Sequence, residues 1–366
     1  MSARASEPTP GVPHPKETTA LHGHRDAEAA LLTAYRSGRI PHAWLIGGPR
    51  GVGKATLAYR LARFVLAHGD AAARAVQDAG DLRVDADHPV ARQIASGAHG
   101  GLLTLERTAN DKGVMRSVIT VDQTRETVAF FGSTAAIDGW RVCVVDTVDE
   151  LNANAANALL KILEEPPRRS ILLLVTHAPG KVLPTIRSRC RALRLVPLTA
   201  DDMAEALAQA GVHPEPGQAA ALAALSGGSV GEAVRLINLG GLEIYAELAG
   251  LFSDLPRMDR GRALKLAETA AARGGEAKLD LLIALVELFL ARLARSGAAG
   301  MAPEPEGAPG EAALFARIAP DASSARRWAE LEESLSGRMR HGRAVNLDPA
   351  ALILDTVLKI RDSAAG

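Results

Sequence analysis

Residues 142–194 read VCVVDTVDELNANAANALLKILEEPPRRSILLLVTHAPGKVLPTIRSRCRALR, and this stretch holds two apolar runs separated by a polar, alanine-rich segment. The first run, 142–145, ends on Asp146, as expected of a buried strand with a carboxylate at its carboxyl end. The second run, 171–175, reaches Thr176. The order predicts half of a parallel, doubly wound α/β sheet, in which functional residues lie at the carboxyl ends of the strands.

The segment between the two runs has the spacing of an amphipathic helix. Ala156, Leu159, Leu160 and Leu163 recur at i, i+3, i+4 and i+7, so they lie on one face. Pro166-Pro167 ends the helix because proline lacks an amide donor and disfavours helical geometry in the residue before it.

A glycine-rich loop lies nearer the start of the chain. Residues 43–46 predict a short buried strand, residues 48–54 read GPRGVGK, and a helix is predicted over 55–66. Three glycines let backbone amides curl round phosphate oxygens, a lysine supplies charge, and the helix adds its N-terminal dipole. The predicted phosphate-binding residues are Gly48, Gly51, Gly53 and Lys54.

The residue after Lys54 departs from the phosphate-loop pattern. Ala55 stands where a Ser or Thr hydroxyl coordinates Mg²⁺. Thr56 lies about 100° further round the helix and is not expected to reach the same point. The pattern therefore predicts phosphate binding with poor metal placement.

The sequences NALLKILEEPP at 157–167 and TIRSRC at 185–190 resemble the clamp-loader branch of the AAA+ ATPases. The resemblance extends from about Leu21 onward, and it implies an AAA+ α/β core followed by a small helical lid and an all-α collar domain. It assigns Asp146 to the Walker B position, which holds Mg²⁺ through water, and Thr176 to the sensor-one position. Gly23-His24 fits the segment beside the adenine pocket of this family, and a turn before a surface helix explains these two residues equally well.

The same resemblance implies that hydrolytic groups are missing. Thr147 stands where the family has the glutamate that activates water, and its hydroxyl cannot accept a proton at neutral pH. We expect Asp149 and Glu150 to lie past the strand end, pointing away from this site. Residues 228–231 resemble the sensor-two motif, with Gly231 in place of its arginine. The resemblance thus predicts a degenerate site that holds ATP or ADP with Mg²⁺ weakly or not at all.

Arg189 lies in an intact Ser-Arg-Cys motif. In clamp loaders this arginine reaches into the nucleotide site of a neighbouring subunit, where arginine fingers stabilise charge on the γ-phosphate. The alternative is a solvated basic edge formed together with Arg187, Arg191 and Arg194. We assign the finger to Arg189, as the catalytic residue acting in trans, and the solvated edge to the other three.

The remaining segments give a domain plan. Residues 1–20 are polar and proline-rich and predict a disordered tail. The core is placed at 21–197, the lid at 198–240 and the collar at 241–366. The core should also contain a strand at 102–105 and a helix that opens at 119–122 and runs to about Phe131, with Val121, Thr124 and Val128 facing the core. Proline-rich 297–310 predicts a flexible loop between collar helices.

Composition limits the possible functions. Lys+Arg and Asp+Glu number 42 each, so no net field attracts nucleic acid. Two cysteines exclude a disulfide framework and a four-cysteine zinc site, and we expect no metal centre and no zinc. No signal peptide or membrane span is predicted, which indicates a cytoplasmic protein.

The resemblance therefore implies a non-catalytic clamp-loader subunit, a stator within a bacterial DNA polymerase holoenzyme. Its expected partners are ATPase subunits of the gamma/tau type, a clamp-opening subunit of the delta type and, through the complex, the sliding clamp and primed DNA. The alternative is an active AAA+ ATPase of the gamma/tau type, which Lys54 and Asp146 favour and Ala55, Thr147 and Gly231 oppose. A DNA-binding factor acting alone lacks a basic or stacking surface.

Overall fold

The structure is a computed structural model that describes residues 13–108, 116, 118–132, 139–215, 217–271 and 275–365. The first twelve residues of the predicted disordered tail lie outside the described part of the chain.

Five parallel strands form one sheet, in the order β2-β3-β4-β1-β5. The strands are β1 Ala43–Gly47, β2 Leu102–Glu106, β3 Arg141–Asp146, β4 Ser170–Thr176 and β5 Arg191–Arg194. The predicted runs at 43–46, 102–105, 142–145 and 171–175 all lie within observed strands. The predicted α/β class is confirmed.

Helices account for most of the remaining chain. Those of the N-terminal part are α1 Arg25–Arg36, α2 Lys54–His68, α3 Arg74–Gln77, α4 Pro89–Ala95, α5 Val121–Gly132, α6 Ala153–Glu164, α7 Pro184–Arg187 and α8 Ala200–Gln209. The C-terminal part contains α9 Gln218–Ser226, α10 Val230–Leu239, α11 Gly241–Phe252, α12 Arg260–Ala271, α13 Glu276–Ala299, α14 Glu311–Ile318, α15 Ala322–Ala344 and α16 Pro349–Ala365. Two single 3-10 turns occur at Val148–Glu150 and Pro179–Lys181.

The chain forms two compact units. The first ends at Val212 and also includes Ser229–Gly231, and the second contains His213–Gly228 and Glu232 onward. The predicted lid at 198–240 therefore contributes residues to both units, and the division into core, lid and collar stays a prediction.

The sheet of the first unit is covered on both faces. Alternate residues of a strand point to opposite faces, so Val142 and Val144 pack with Leu57 of α2, whereas Cys143 and Val145 pack with Leu159 of α6. Both layers are buried, which explains why the central strands are apolar without interruption. This packing fixes the carboxyl ends of β1, β3 and β4 at one edge.

The predicted disordered tail is too long at its C-terminal end, because residues 13–20 have described structure. Arg63 is only 2% exposed, and its guanidinium donates hydrogen bonds to the carbonyls of Pro15, Lys16 and Thr18 at 3.2, 2.9 and 2.7 Å. A buried guanidinium requires acceptors, and this segment supplies them. Residues 13–18 thus form part of the first unit.

The orientation predicted for α5 is wrong at one position. Val128 is 46% exposed, whereas Thr124, Thr127 and Phe131 are buried. The stripe at i, i+3, i+7 faces α6, and two threonines provide small side chains for close helix packing. Thr124 is buried as predicted, whereas packing against α6 buries Thr127 in place of the more hydrophobic Val128.

The regular secondary structure described beyond residue 241 is helical throughout, as the all-α prediction for this segment requires. The loop after α13 is not flexible as predicted. Glu311, which is fully buried, accepts a hydrogen bond from the amide of Gly307 at 2.6 Å and binds Arg292, which also donates to Pro305 O at 2.9 Å. An ion pair therefore secures the loop at two points.

Among the described helices, none by itself is long and apolar enough to cross a membrane. The pair α9 and α10, bent by 115°, meets the length and composition criteria jointly.

Candidate nucleotide site and arginine-bearing edge

The glycine loop connects β1 to α2, as predicted. Lys54 is the first residue of α2 and is 3% exposed, and its ammonium donates to Gly48 O at 2.8 Å and to Pro49 O. Burial lowers the pKa of Lys54 to about 8, an effect that the carboxylates of Asp146 and Asp149 oppose. The lysine is thus held inside the loop within electrostatic reach of the β3 end.

The predicted sensor-two segment packs against this loop. The amide of Val230 donates to Gly51 O at 3.2 Å, and Ser229 is 7% exposed. Gly51 has φ +74°, and a Cβ there would lie 2.0 Å from Ser229 Oγ. Only glycine tolerates both the positive φ and the close approach of Ser229. The contact with 229–231 therefore requires glycine at position 51.

His24 also contacts the glycine loop. Its Nε2 donates to Val52 O at 2.6 Å, and the ring is 4% exposed. Burial lowers the pKa of His24, which favours the neutral ring. A Cβ on Gly53 would lie 3.0 Å from Leu21. The segment carrying Gly23-His24 therefore covers the loop and is not an isolated surface turn.

The end of β3 carries the Walker B position. Asp146 is half-buried, and burial together with the nearby Glu106 carboxylate raises its pKa. Thr147 follows at 4% exposure, and its hydroxyl has no hydrogen-bond partner among the described residues. No carboxylate occupies position 147, so the chain has no general base there.

Asp149 does not point away from the site as expected. The 3-10 turn after Thr147 brings it back to β4, where its Oδ1 accepts from Thr176 Oγ1 at 2.7 Å and its Oδ2 accepts from the amide of His177 at 2.6 Å. A single 3-10 turn rises only about 6 Å, which keeps residue 149 near the strand end. Asp149 lies only three positions after the last residue of β3, and this short separation could have indicated that it stays close to the strand ends.

Glu150 binds an arginine, whereas Asp149 binds the end of β4. It forms an ion pair with Arg107 at 2.8 Å, and both side chains are largely buried. His14 of the N-terminal segment lies 3.9 Å from Glu106, which is paired in register with Asp146. Of the acidic residues at this edge, Glu150 therefore pairs with an arginine and Glu106 lies near a histidine of the same unit.

The arginine of the Ser-Arg-Cys motif lies on a different part of the first unit, after α7. Arg189 Nη2 lies 2.8 Å from Glu164 Oε1, and Nη1 donates to Thr185 O at 2.9 Å. Its side chain is 35% exposed. Sequence reasoning identified Arg189 but missed Glu164, the last residue of α6.

The predicted nucleotide-site residues gather at one edge of the sheet. Gly48, Gly51, Gly53 and Lys54 form the loop after β1, Asp146 ends β3, and Thr176 ends the adjacent β4. Thr56 lies half-buried in the first turn of α2. Within the described ranges, the acidic, histidine and cysteine side chains form no group of three or more suited to a metal ion.

Comparison with known proteins shows what the first unit is similar to. Residues 23–199, just under half of the chain, match the family model described as DNA polymerase III, delta subunit. Over this region the chain is similar to clamp-loader subunits of DNA polymerase III.

Three relatives show how far the similarity extends. It is 39% identical over 209 residues to DNA polymerase III subunit delta' of Pseudomonas aeruginosa, covering 57% of this chain and 59% of that one. It is 34% identical over 167 residues to the Escherichia coli K12 delta' subunit, covering 46% of each. It is 37% identical over 180 residues to Mycobacterium tuberculosis subunit gamma/tau, covering 48% of this chain and 28% of that one. Each alignment thus spans less than two thirds of the relative.

Proposed function

We propose that this chain is a delta-prime-like stator of a bacterial DNA polymerase III clamp loader. It helps to load the sliding clamp on primed DNA during replication, and it supplies Arg189 to a neighbouring ATPase subunit. Its own hydrolysis is little or none. The observation that carries this proposal is the difference between its two sites: a partly exposed, oriented guanidinium at position 189, and no carboxylate at position 147.

Arg189 suits action on a neighbour because its guanidinium lies at the surface. Two contacts, with Glu164 and Thr185, set its plane, and its side chain is 35% exposed. Arginine forms rigid, directional bonds to phosphate oxygens, which is why it stabilises charge developing on a γ-phosphate.

The chain's own site lacks a group that could activate water. Thr147 offers only a hydroxyl, and both carboxylate oxygens of Asp149, two residues on, accept hydrogen bonds from β4 and the residue after it. A base must be free to take a proton from the attacking water. Neither residue meets that requirement.

A nucleotide fits this site only in part. The amides of 48–54 and the Lys54 ammonium would hold phosphates, and Asp146 at the end of β3 would be the residue to hold a metal. Ala55 offers no metal ligand. A bound ATP or ADP would supply phosphate charge to Lys54, and the chain's role would be to bind it without hydrolysis.

The second candidate is an active AAA+ ATPase of the gamma/tau type. It is favoured by the intact lysine at position 54, by the carboxylate at position 146 and by the similarity to gamma/tau. Under this proposal a residue other than Thr147 would act as the base.

Steady-state ATP hydrolysis by the purified chain with Mg²⁺, with and without primed DNA, separates the two candidates. The stator proposal expects no turnover above that of a Lys54→Ala control. Turnover that disappears in Lys54→Ala would instead establish the motor.

A second assay tests the stator directly. Adding the chain to ATPase subunits of the gamma/tau type, a delta-type subunit and the sliding clamp should raise their hydrolysis, and Arg189→Ala should abolish that rise. Arginine fingers contribute on the order of a thousandfold or more to the rate. We place this assembly in the cytoplasm, as part of a DNA-directed DNA polymerase holoenzyme to which this chain contributes no polymerase chemistry.

A further inference from the structure

We propose that Glu164 is a positioning residue for Arg189: it orients the guanidinium before a neighbouring nucleotide is bound. This inference rests on the proposed function, because it assigns Glu164 a role only through the arginine that acts in trans.

The contact itself is direct and short. Glu164 Oε1 lies 2.8 Å from Arg189 Nη2, and Thr185 O accepts from Nη1 at 2.9 Å. Glu164 is the last residue of α6, and Thr185 lies in α7. The guanidinium is therefore held by one acceptor from each of two helices, so both its position and its plane are defined.

The neighbouring arginines have no comparable contact. Arg187, Arg191 and Arg194 are exposed, and no described acidic side chain forms an ion pair with any of them. Arg191 instead lies over the Trp44 ring at 5.4 Å from its centroid. Among these four arginines, Arg189 of the Ser-Arg-Cys motif is the one that forms an ion pair with a described carboxylate, that of Glu164.

The geometry leaves donors for a ligand. A guanidinium has five N–H groups, and in Arg189 Nη2 donates to Glu164 while Nη1 donates to Thr185 O and, at 3.5 Å, to Ser188 Oγ. The remaining N–H groups can bind phosphate oxygens. A free surface arginine loses considerable rotamer freedom on binding, and prior orientation by Glu164 reduces that loss.

The test uses the assembled loader described above, with hydrolysis by the ATPase subunits as the readout. Glu164→Ala should lower the stimulated kcat about fivefold with little change in KM for ATP, because the finger acts mainly on the transition state. Glu164→Gln, which keeps an acceptor oxygen, should restore most of the rate. Glu165→Ala is the matched control: it removes the adjacent exposed carboxylate, which does not contact Arg189, and should leave the rate unchanged.

Three results would overturn the inference. Stimulation by Glu164→Ala equal to the unmodified chain would show that the contact has no role, and faster stimulation would show that Glu164 restrains the finger. An equal loss in Glu165→Ala would indicate a general charge effect. In each case a loss in Arg189→Ala would leave the stator proposal intact, whereas full stimulation by Arg189→Ala would refute the finger itself.

Discussion

Thr176 donates its hydroxyl hydrogen bond to Asp149 across 2.7 Å, which joins the end of β4 to the turn after β3. The second oxygen of the same carboxylate accepts from the amide of His177 at 2.6 Å. The turn after the predicted Walker B residue and the predicted sensor-one residue are therefore joined by one side chain.

Removing this carboxylate should loosen the strand ends. Asp149→Ala eliminates two hydrogen bonds to a charged acceptor, and since the residue is exposed we expect a loss of about 1–2 kcal/mol in the free energy of unfolding. Amide exchange at His177 should become faster. Asp149→Asn keeps one acceptor oxygen and should show a smaller change. Unaltered exchange in Asp149→Ala would contradict the bond.

The contact between the glycine loop and residues 229–231 can be tested with a glycine pair. Gly51→Ala adds backbone strain at φ +74° and a clash with Ser229 Oγ, whereas Gly69→Ala adds strain alone at φ +56° because nothing lies near its Cβ. We expect Gly51→Ala to cost about 1–3 kcal/mol, more than Gly69→Ala, in urea unfolding.

A second substitution, at Ser229, separates the cost of backbone strain at Gly51 from the cost of the clash. Ser229→Gly combined with Gly51→Ala should recover the part that is due to the clash, leaving a cost near that of Gly69→Ala. No recovery in the double variant would show that 229–231 does not pack on the loop in solution.

Arg63 should protect the N-terminal segment from protease. In Arg63→Met the carbonyls of Pro15, Lys16 and Thr18 lose their shared donor, so local opening becomes easier. Trypsin cleavage after Lys16, followed by mass spectrometry, should be several-fold faster than in the unmodified chain. Arg74→Met, at a residue whose side chain is 94% exposed, is the control and should cleave at the normal rate.

His177 predicts a loss of stability in mild acid. Burial, followed by the charges of Lys54 and Arg50, lowers its pKa to about 4 in the folded chain, whereas the unfolded chain binds the proton near pH 6.5. Since the unfolded state then binds more protons, stability is full above pH 6.5 and falls as the pH drops toward 4.

Comparison with His177→Gln isolates this contribution. Between pH 7.5 and pH 5, the unmodified chain should lose about 1–2 kcal/mol more than His177→Gln in urea unfolding. Groups shared by both proteins cancel in the difference. Equal losses would mean that His177 titrates normally in the folded state.

Much of the core could be read from local pattern. The bounds of β3, α6 and β4 follow from apolar runs, helical spacing and Pro166-Pro167, and each was predicted within a few residues. The burial of Thr127 in α5 could not be predicted, because Val128 beside it is more hydrophobic and only packing against α6 decides which of the two is buried. Residues 13–18 were missed for a similar reason, since their partner Arg63 lies more than 40 residues away.

The sequence by itself determined the α/β order of elements, the glycine loop before α2, the threonine at position 147 and the arginine at position 189, because residue identity and short-range periodicity suffice for these. The tertiary structure alone decided which side chains meet: Asp149 with Thr176, Glu164 with Arg189, and Ser229 with Gly51. These pairs are separated by 25 or more positions, and their distances depend on how helices pack on the sheet.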